Sequence, residues 1–286
     1  MTERLLDLSG KTDALIPIFE NIAKIADSLR IPFFVIGATA RDLILEHGYG
    51  IRSFRATRDL DLAIQVEDWE KYAILSKTLL ESGLFGTDRI PHRFIYKERQ
   101  YIDIVPFGRI ENARGEIIWP PQNETSMSVV GFSEAYEHTL IVRLRAESVL
   151  DVKVASLPGL TVLKLISWKD RRTGKDRDAS DLAHIIKNYY QADNEDRLFN
   201  ENYNIMEELD HRIEVAGARL LGHDIKAMVK QETKELILRI LNEETDENSE
   251  FRLLATMSKG SLSYDEDFEE YKTLLLELQK GIYGAQ

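Results

Sequence analysis

Asp59 and Asp61 stand two positions apart in "RATRDLDLAIQV" (55–66), inside a run of leucine, isoleucine and valine. A β-strand sends alternate side chains to one face, so both carboxylates are expected on the same side, roughly 6.6 Å apart at about 3.3 Å per residue. A third acid, Asp103, sits between apolar neighbours in "YIDIVPF". Two carboxylates about 5 Å apart repel by about 3 kcal/mol at an effective dielectric near 20. Three on one sheet face would therefore need cations. Hard oxygen ligands of this kind suit Mg²⁺ or Mn²⁺. Two such ions, about 3.5–4 Å apart, can clamp the attacking and leaving oxygens of a phosphoryl displacement. The plainer alternative treats Asp59 and Asp61 as solvated residues of an edge strand, with Asp103 an unrelated turn acid.

Three further stretches bear on that choice. In "VIGATARDL" a strand runs into Gly37, and a small residue and Thr39 open a helix, 22 residues before Asp59. Backbone N–H groups at such a turn attract phosphate, and glycine permits close approach. Lys164, in "LTVLKLISWKD", shares a helix side with Leu160, Leu163 and Ser167. It either snorkels to water or places its ammonium on a triphosphate. In "DRRTGKDRDASDLAHII", Asp178 and Asp181 are three apart and share a helix face. Asp178 lies near the helix start, where it can also serve as an N-terminal cap; Asp181 is deeper in the helix. Arg171, Arg172, Lys175 and Arg177 make a basic cluster beside them, either a solvated face or a phosphate-contacting one.

The elements that must carry these residues can be read from periodicity. Residues 12–29 have helical apolar spacing; "PFFVIG" is a short buried strand, and "ATARDLILEHG" a helix closed by Gly48. "DLDLAIQV" is the next strand and "EDWEKYAILSKTLLESG" the next helix. "RFIYK" and "YIDIVPF" form a strand pair around the turn "ERQ". "ARGEIIWPPQNETS" (113–126) reads as an exposed loop, and strands follow around "HTLIVRL" and "VLDVKVAS". From Pro158 onward nearly everything is helical, with "NEETDENSE" (242–250) a charged turn between helices. The class is α+β: a mixed sheet flanked by helices in residues 1–157, then a helical domain in residues 158–286.

The totals bound the function. With 286 residues, 43% hydrophobic and 30% charged, the chain has the composition of a soluble globular protein. "MTERLLDLSGKTDALIPIF" lacks a basic segment followed by a long apolar one, so no signal peptide is expected. No stretch reaches the roughly 18 apolar residues of a membrane span. There is no cysteine, hence no disulfide framework or thiolate metal site, and a cytoplasmic location is expected. His47, His92, His138 and His184 are scattered without close ligand spacing, which disfavours a histidine metal centre. The net charge of −12 argues against a polyanion partner, but from Gln191 onward there are 22 acids against 11 bases. The first 190 residues hold 27 acids and 26 bases, and so have room for a local basic surface.

In order and spacing, "VIGATARDL", "ATRDLDLAI" and "YIDIVPF" resemble the DNA polymerase β-type nucleotidyltransferase superfamily. Together with "KLISWKDRRTGKDRDASDL", the chain is most similar within it to the AbiEii/AbiGii-type toxin nucleotidyltransferases of bacterial toxin–antitoxin and abortive-infection systems. The similarity covers roughly residues 33–190. Ala38 stands where the superfamily often has a second glycine or a serine.

The resemblance implies a polymerase β-like nucleotidyltransferase domain followed by a helical one. Gly37, Thr39 and Arg41 would bind the nucleotide; Asp59, Asp61 and Asp103 would hold Mg²⁺ (or Mn²⁺), with Asp103 orienting or deprotonating the acceptor hydroxyl. Lys164 and Asp181 would serve nucleotide binding and activity. The expected reaction moves a nucleoside monophosphate from an NTP to an acceptor hydroxyl, in the toxin reading that of an RNA such as a tRNA 3′ end, with a cognate antitoxin as partner. One alternative is the same chemistry on a small molecule such as an antibiotic. Another is a non-catalytic nucleotide-binding or regulatory module of the same fold.

Overall fold

The computed structural model describes residues 5–53, 59–120, 126–170, 176–259 and 263–284. Arg171, Arg172 and Lys175 of the basic cluster lie outside them. The contacts divide the chain into two units, 1–156 and 157–286.

The first unit is built on an eight-stranded mixed sheet. Its strands are β1 (Leu5–Asp7), β2 (Phe33–Ile36), β3 (Asp59–Val66), β4 (Phe85–Thr87), β5 (Arg93–Tyr96), β6 (Gln100–Gly108), β9 (Thr139–Arg145) and β10 (Leu150–Ala155). β7 (Glu116–Ile118) and β8 (Ser126–Ser128) form a separate hairpin. The order across the large sheet is β1-β9-β10-β2-β3-β6-β5-β4. β3 is thus central, antiparallel to β2 and parallel to β6. Parallel neighbours need a crossover, supplied here by helix α3 (Trp69–Glu81) and the β4–β5 hairpin.

β3 changes character along its length. Leu62, Ala63 and Ile64 are all buried, as expected of a strand covered on both faces, whereas Asp59 and Asp61 at its beginning are half-buried and separated by the buried Leu60. Ile102 and Ile104 of β6 lie opposite Leu60 and Leu62 and are likewise buried. Phe34 of β2 meets Phe107 of β6 edge-on at 5.6 Å between ring centroids.

Helix α1 (Ile16–Leu29) begins four residues later than its periodicity predicts, because Pro17 sets the first turn. The predicted single helix after β2 is two segments: α2 (Gly37–Asp42) continues into a π-helical turn, Leu43–Gly48. The wider turn buries Leu43, Ile44 and Leu45 in succession, which an α-helix with one solvent face would not do. The expected exposed loop at 113–126 is a correction: it contains β7, and Ile117 and Trp119 are buried. Trp119 packs against Trp69, Tyr72 and His92. A short helix, α4 (Phe132–Glu137), precedes β9.

The second unit is helical: α5 (Leu157–Asp170), α6 (Arg177–Asn188), α7 (Tyr203–Glu208), α8 (Ile213–Met228), α9 (Gln231–Thr245), α10 (Arg252–Met257) and α11 (Tyr264–Tyr283). α9 extends through Thr245, so half of the expected charged turn is helix. α8 and α11 touch backbone to backbone: a β-carbon at Gly222 would lie 2.8 Å from the α-carbon of Gly281 and closer still to the Leu278 carbonyl. Among the described residues no helix is long and apolar enough to cross a membrane.

Candidate active site

In the first unit, register brings the three acids together. Asp61 pairs directly with Asp103 across the parallel β3–β6 ladder, and Asp59 pairs with Tyr101. Paired positions on neighbouring strands face the same way, and so do positions two apart along one strand. Asp59, Asp61 and Asp103 therefore share one face, opposite the buried Leu60, Leu62, Ile102 and Ile104.

The turn after β2 closes on the same spot. Ile36 pairs with Asp61, and Gly37 follows at φ 67°. A β-carbon on Gly37 would stand 2.8 Å from the Asp61 carboxyl carbon. Only glycine satisfies both the left-handed backbone and this close approach. Thr39 is buried, and its hydroxyl donates to the Asp59 carbonyl oxygen at 3.1 Å, tying α2 to the start of β3. Arg41 is fully buried: its Nε donates to Asp42 at 2.8 Å, and Ser53 donates to the same carboxylate. Thr39 thus braces the turn from within and Arg41 is held in the interior by Asp42, whereas Gly37 borders the acids.

Arg93 is a site residue that the sequence reading missed. It pairs with Asp103 across the antiparallel β5–β6 ladder. Its Nε and Nη2 donate to the two carboxylate oxygens of Asp103, each at 2.7 Å. The guanidinium is also 3.8 Å from Asp59 and 5.2 Å from the centre of the Tyr101 ring. Hydrogen bonding to Asp103 raises its pKa beyond the ordinary arginine value, so it is a permanent cation. In "HRFIYK" nothing marks this arginine; only the hairpin register, which sets it opposite an acid ten residues later, could have found it.

In the second unit, Lys164 of α5 reaches both acids of α6. Its Nζ lies 2.8 Å from Asp178 and 2.8 Å from Asp181. Asp181 is 0% exposed and the Lys164 side chain 13%, so the lysine does not snorkel to water. Burial by itself would push the ammonium pKa down; the two carboxylates outweigh it and raise the pKa above the usual lysine value. The N-cap position of α6 is Asp176, not Asp178, whose carboxylate accepts from Lys164. A buried cation between two anions satisfies the pairing that buried charge requires.

The donor set fits a hard divalent ion. Three carboxylates share one face, two of them abreast on strands about 4.8 Å apart, which is the ligand chemistry of Mg²⁺ or Mn²⁺. Among the described residues no group of three or more His, Cys, Asp or Glu side chains is placed, as it stands, to hold a metal ion. A guanidinium stands among the acids as their cation instead.

A sequence profile described as "Nucleotidyl transferase AbiEii toxin, Type IV TA system" matches residues 24–273. No curated protein matches the chain. Among solved structures, the antibiotic-resistance factor ANT(2'')-Ia is similar at 12% identity and TM-score 0.37, over 70% of this chain and 98% of that one. A CCA-adding enzyme in its apo form is similar at 16% identity and TM-score 0.30, over 90% of this chain and 66% of that one. The Thermotoga maritima CCA-adding enzyme complexed with tRNA gives 13% identity and TM-score 0.26, over 94% and 81%. With the family profile spanning most of the chain, the protein belongs to the AbiEii toxin family and is a nucleotidyltransferase.

Proposed function

We propose that this enzyme transfers a nucleoside monophosphate from an NTP to a hydroxyl of an RNA, with Mg²⁺ held by Asp59, Asp61 and Asp103. What supports the reading above all is the pairing of Asp61 with Asp103 beside Gly37. The acceptor oxygen bonds to the α-phosphorus as the bond to the β-phosphate breaks, and pyrophosphate leaves in line. Asp103 orients the acceptor hydroxyl or takes its proton. Mg²⁺, when bound, neutralises charge on the phosphates and on the attacking and leaving oxygens.

Gly37 gives the triphosphate a backbone surface without a side chain in the way. Thr39 and Arg41 of the same helix are assigned to the nucleotide with Gly37, and Thr39 also ties that turn to the start of β3. To Lys164 and Asp181 of the helical unit we assign a part in nucleotide binding and activity; within that unit Asp178 and Asp181 keep the lysine charged. As a member of a toxin–antitoxin family the enzyme has an antitoxin as its biological partner, in the cytoplasm of a bacterial cell.

Incubation with radiolabelled NTPs, Mg²⁺ and total RNA tests the proposal. Label is expected in RNA with the wild type and not with Asp61→Asn; transfer that persists in the variant refutes the site. One observation favours a second acceptor class: the excess of acid from Gln191 onward would attract a small cationic molecule such as an aminoglycoside-like antibiotic. Label on such a molecule, and none on RNA, would decide for that reading.

A further inference from the structure

We propose that Arg93 is the built-in counter-cation of the acidic face and that a divalent ion, on binding, displaces it from Asp103. The inference rests on the reading of Asp59, Asp61 and Asp103 as the metal site. Both oxygens of Asp103 are engaged by Arg93, at 2.7 Å each, in the fork geometry that makes arginine–carboxylate pairs strong. Asp61 stands opposite that carboxylate, and Asp59 lies 3.8 Å from the guanidinium. Without a cation this face would carry three mutually repelling charges. Arg93 offsets that repulsion while the metal is absent.

A metal ion needs the same Asp103 oxygens, so arginine and metal compete for them. The pair is not locked in the interior: the Arg93 side chain is 22% exposed, and Tyr101, 40% exposed, presents its ring beneath the guanidinium. A cation over an aromatic face retains part of its stabilisation after a carboxylate is withdrawn. The Tyr101 ring is therefore the resting place of the displaced guanidinium, which stays at the edge of the site and does not escape into bulk water. The device gives metal binding a threshold: the ion must offer the acids more than the arginine already does.

The test is Mn²⁺ binding to the full-length protein without nucleotide, read by the electron paramagnetic resonance signal of free Mn²⁺. Arg93→Gln is expected to bind Mn²⁺ about tenfold more tightly than wild type, since a charged fork to a carboxylate has been removed from the competition. Arg93→Lys, which keeps the charge and loses the fork, should shift affinity in the same direction by less. It also keeps the test decisive should the glutamine variant fail to fold. Unchanged or weaker Mn²⁺ binding in whichever variant folds would overturn the inference and make Arg93 a plain structural partner of Asp103. Asp61→Asn is the control on the underlying reading. If it binds Mn²⁺ as wild type does, the acidic face is not the metal site and both proposals fall. If it loses binding while the Arg93 variants show no tightening, only the displacement is wrong.

Discussion

Asp61→Asn separates what a carboxylate does for chemistry from what it does for folding. The amide keeps the shape against Gly37 but loses the charge and one oxygen and so holds a divalent cation far less well, and nucleotidyl transfer should fall by at least about a hundredfold. Stability should stay within about 1 kcal/mol of wild type or improve, because a charge opposite Asp103 has gone. Label transfer and thermal unfolding of the same preparation check both halves. Lys164→Met should behave in the opposite way. It removes the ammonium that bridges the buried Asp178 and Asp181 and should cost about 3–5 kcal/mol in denaturant unfolding, besides abolishing transfer. The sign of the pH effect follows from the raised lysine pKa. The stabilisation is complete below the unfolded lysine value, about 10.4, and is lost as pH climbs through the higher folded value. Wild type should therefore lose stability in that alkaline window more steeply than Lys164→Met. The individual acids and the lysine were legible in the sequence as odd charges among apolar neighbours. Their pairings were not: Arg93 with Asp103, and Lys164 with two acids at once, depend on hairpin register and on helix packing, which no local pattern encodes.

At the scale of elements, two glycines hold close approaches that differ in kind. At Gly37 a side chain meets both a left-handed backbone and the Asp61 carboxylate. Gly37→Ala should cost about 1–2 kcal/mol from the backbone alone and reduce transfer far more than it reduces folding, since the displaced group belongs to the site. At Gly222 the obstacle is the backbone of α11. Gly222→Ala should destabilise by about 1–3 kcal/mol through overpacking, seen as a lower denaturant midpoint, with little effect on turnover per folded molecule. β3 was readable because eight residues of alternation carried two acids at one end. The β7–β8 hairpin was not, because the prolines and asparagine around it look like loop chemistry while the three residues of β7 bury only Ile117, with Trp119 just beyond. α4, with six residues, is too short to show a helical period.

For the whole molecule, charge is the discriminating property. The first 190 residues are nearly neutral, with the surplus acid beyond them. An RNA acceptor held by even a few phosphate contacts should lose apparent affinity by about tenfold or more as salt rises from about 50 to about 200 mM. Transfer to a small cation should change little over the same range. Measuring the KM for acceptor at both salt concentrations separates the two acceptor classes. The α+β character of the first unit and the helical character of the second were both visible from the change in periodicity near Pro158. The strand order was not, since pairing partners as distant as β1 and β9 leave no mark on the local sequence.

The parallel pairing of β3 with β6 also governs when, during synthesis, this enzyme comes into being. Asp61 acquires its neighbour only after α3 and the β4–β5 hairpin have been made and β6 has docked. A chain still emerging from the ribosome before residue 103 has β2 and β3 to pair but lacks the third acid of the proposed site. On the proposed site, a member of a toxin family is therefore made inert through the first third of its length.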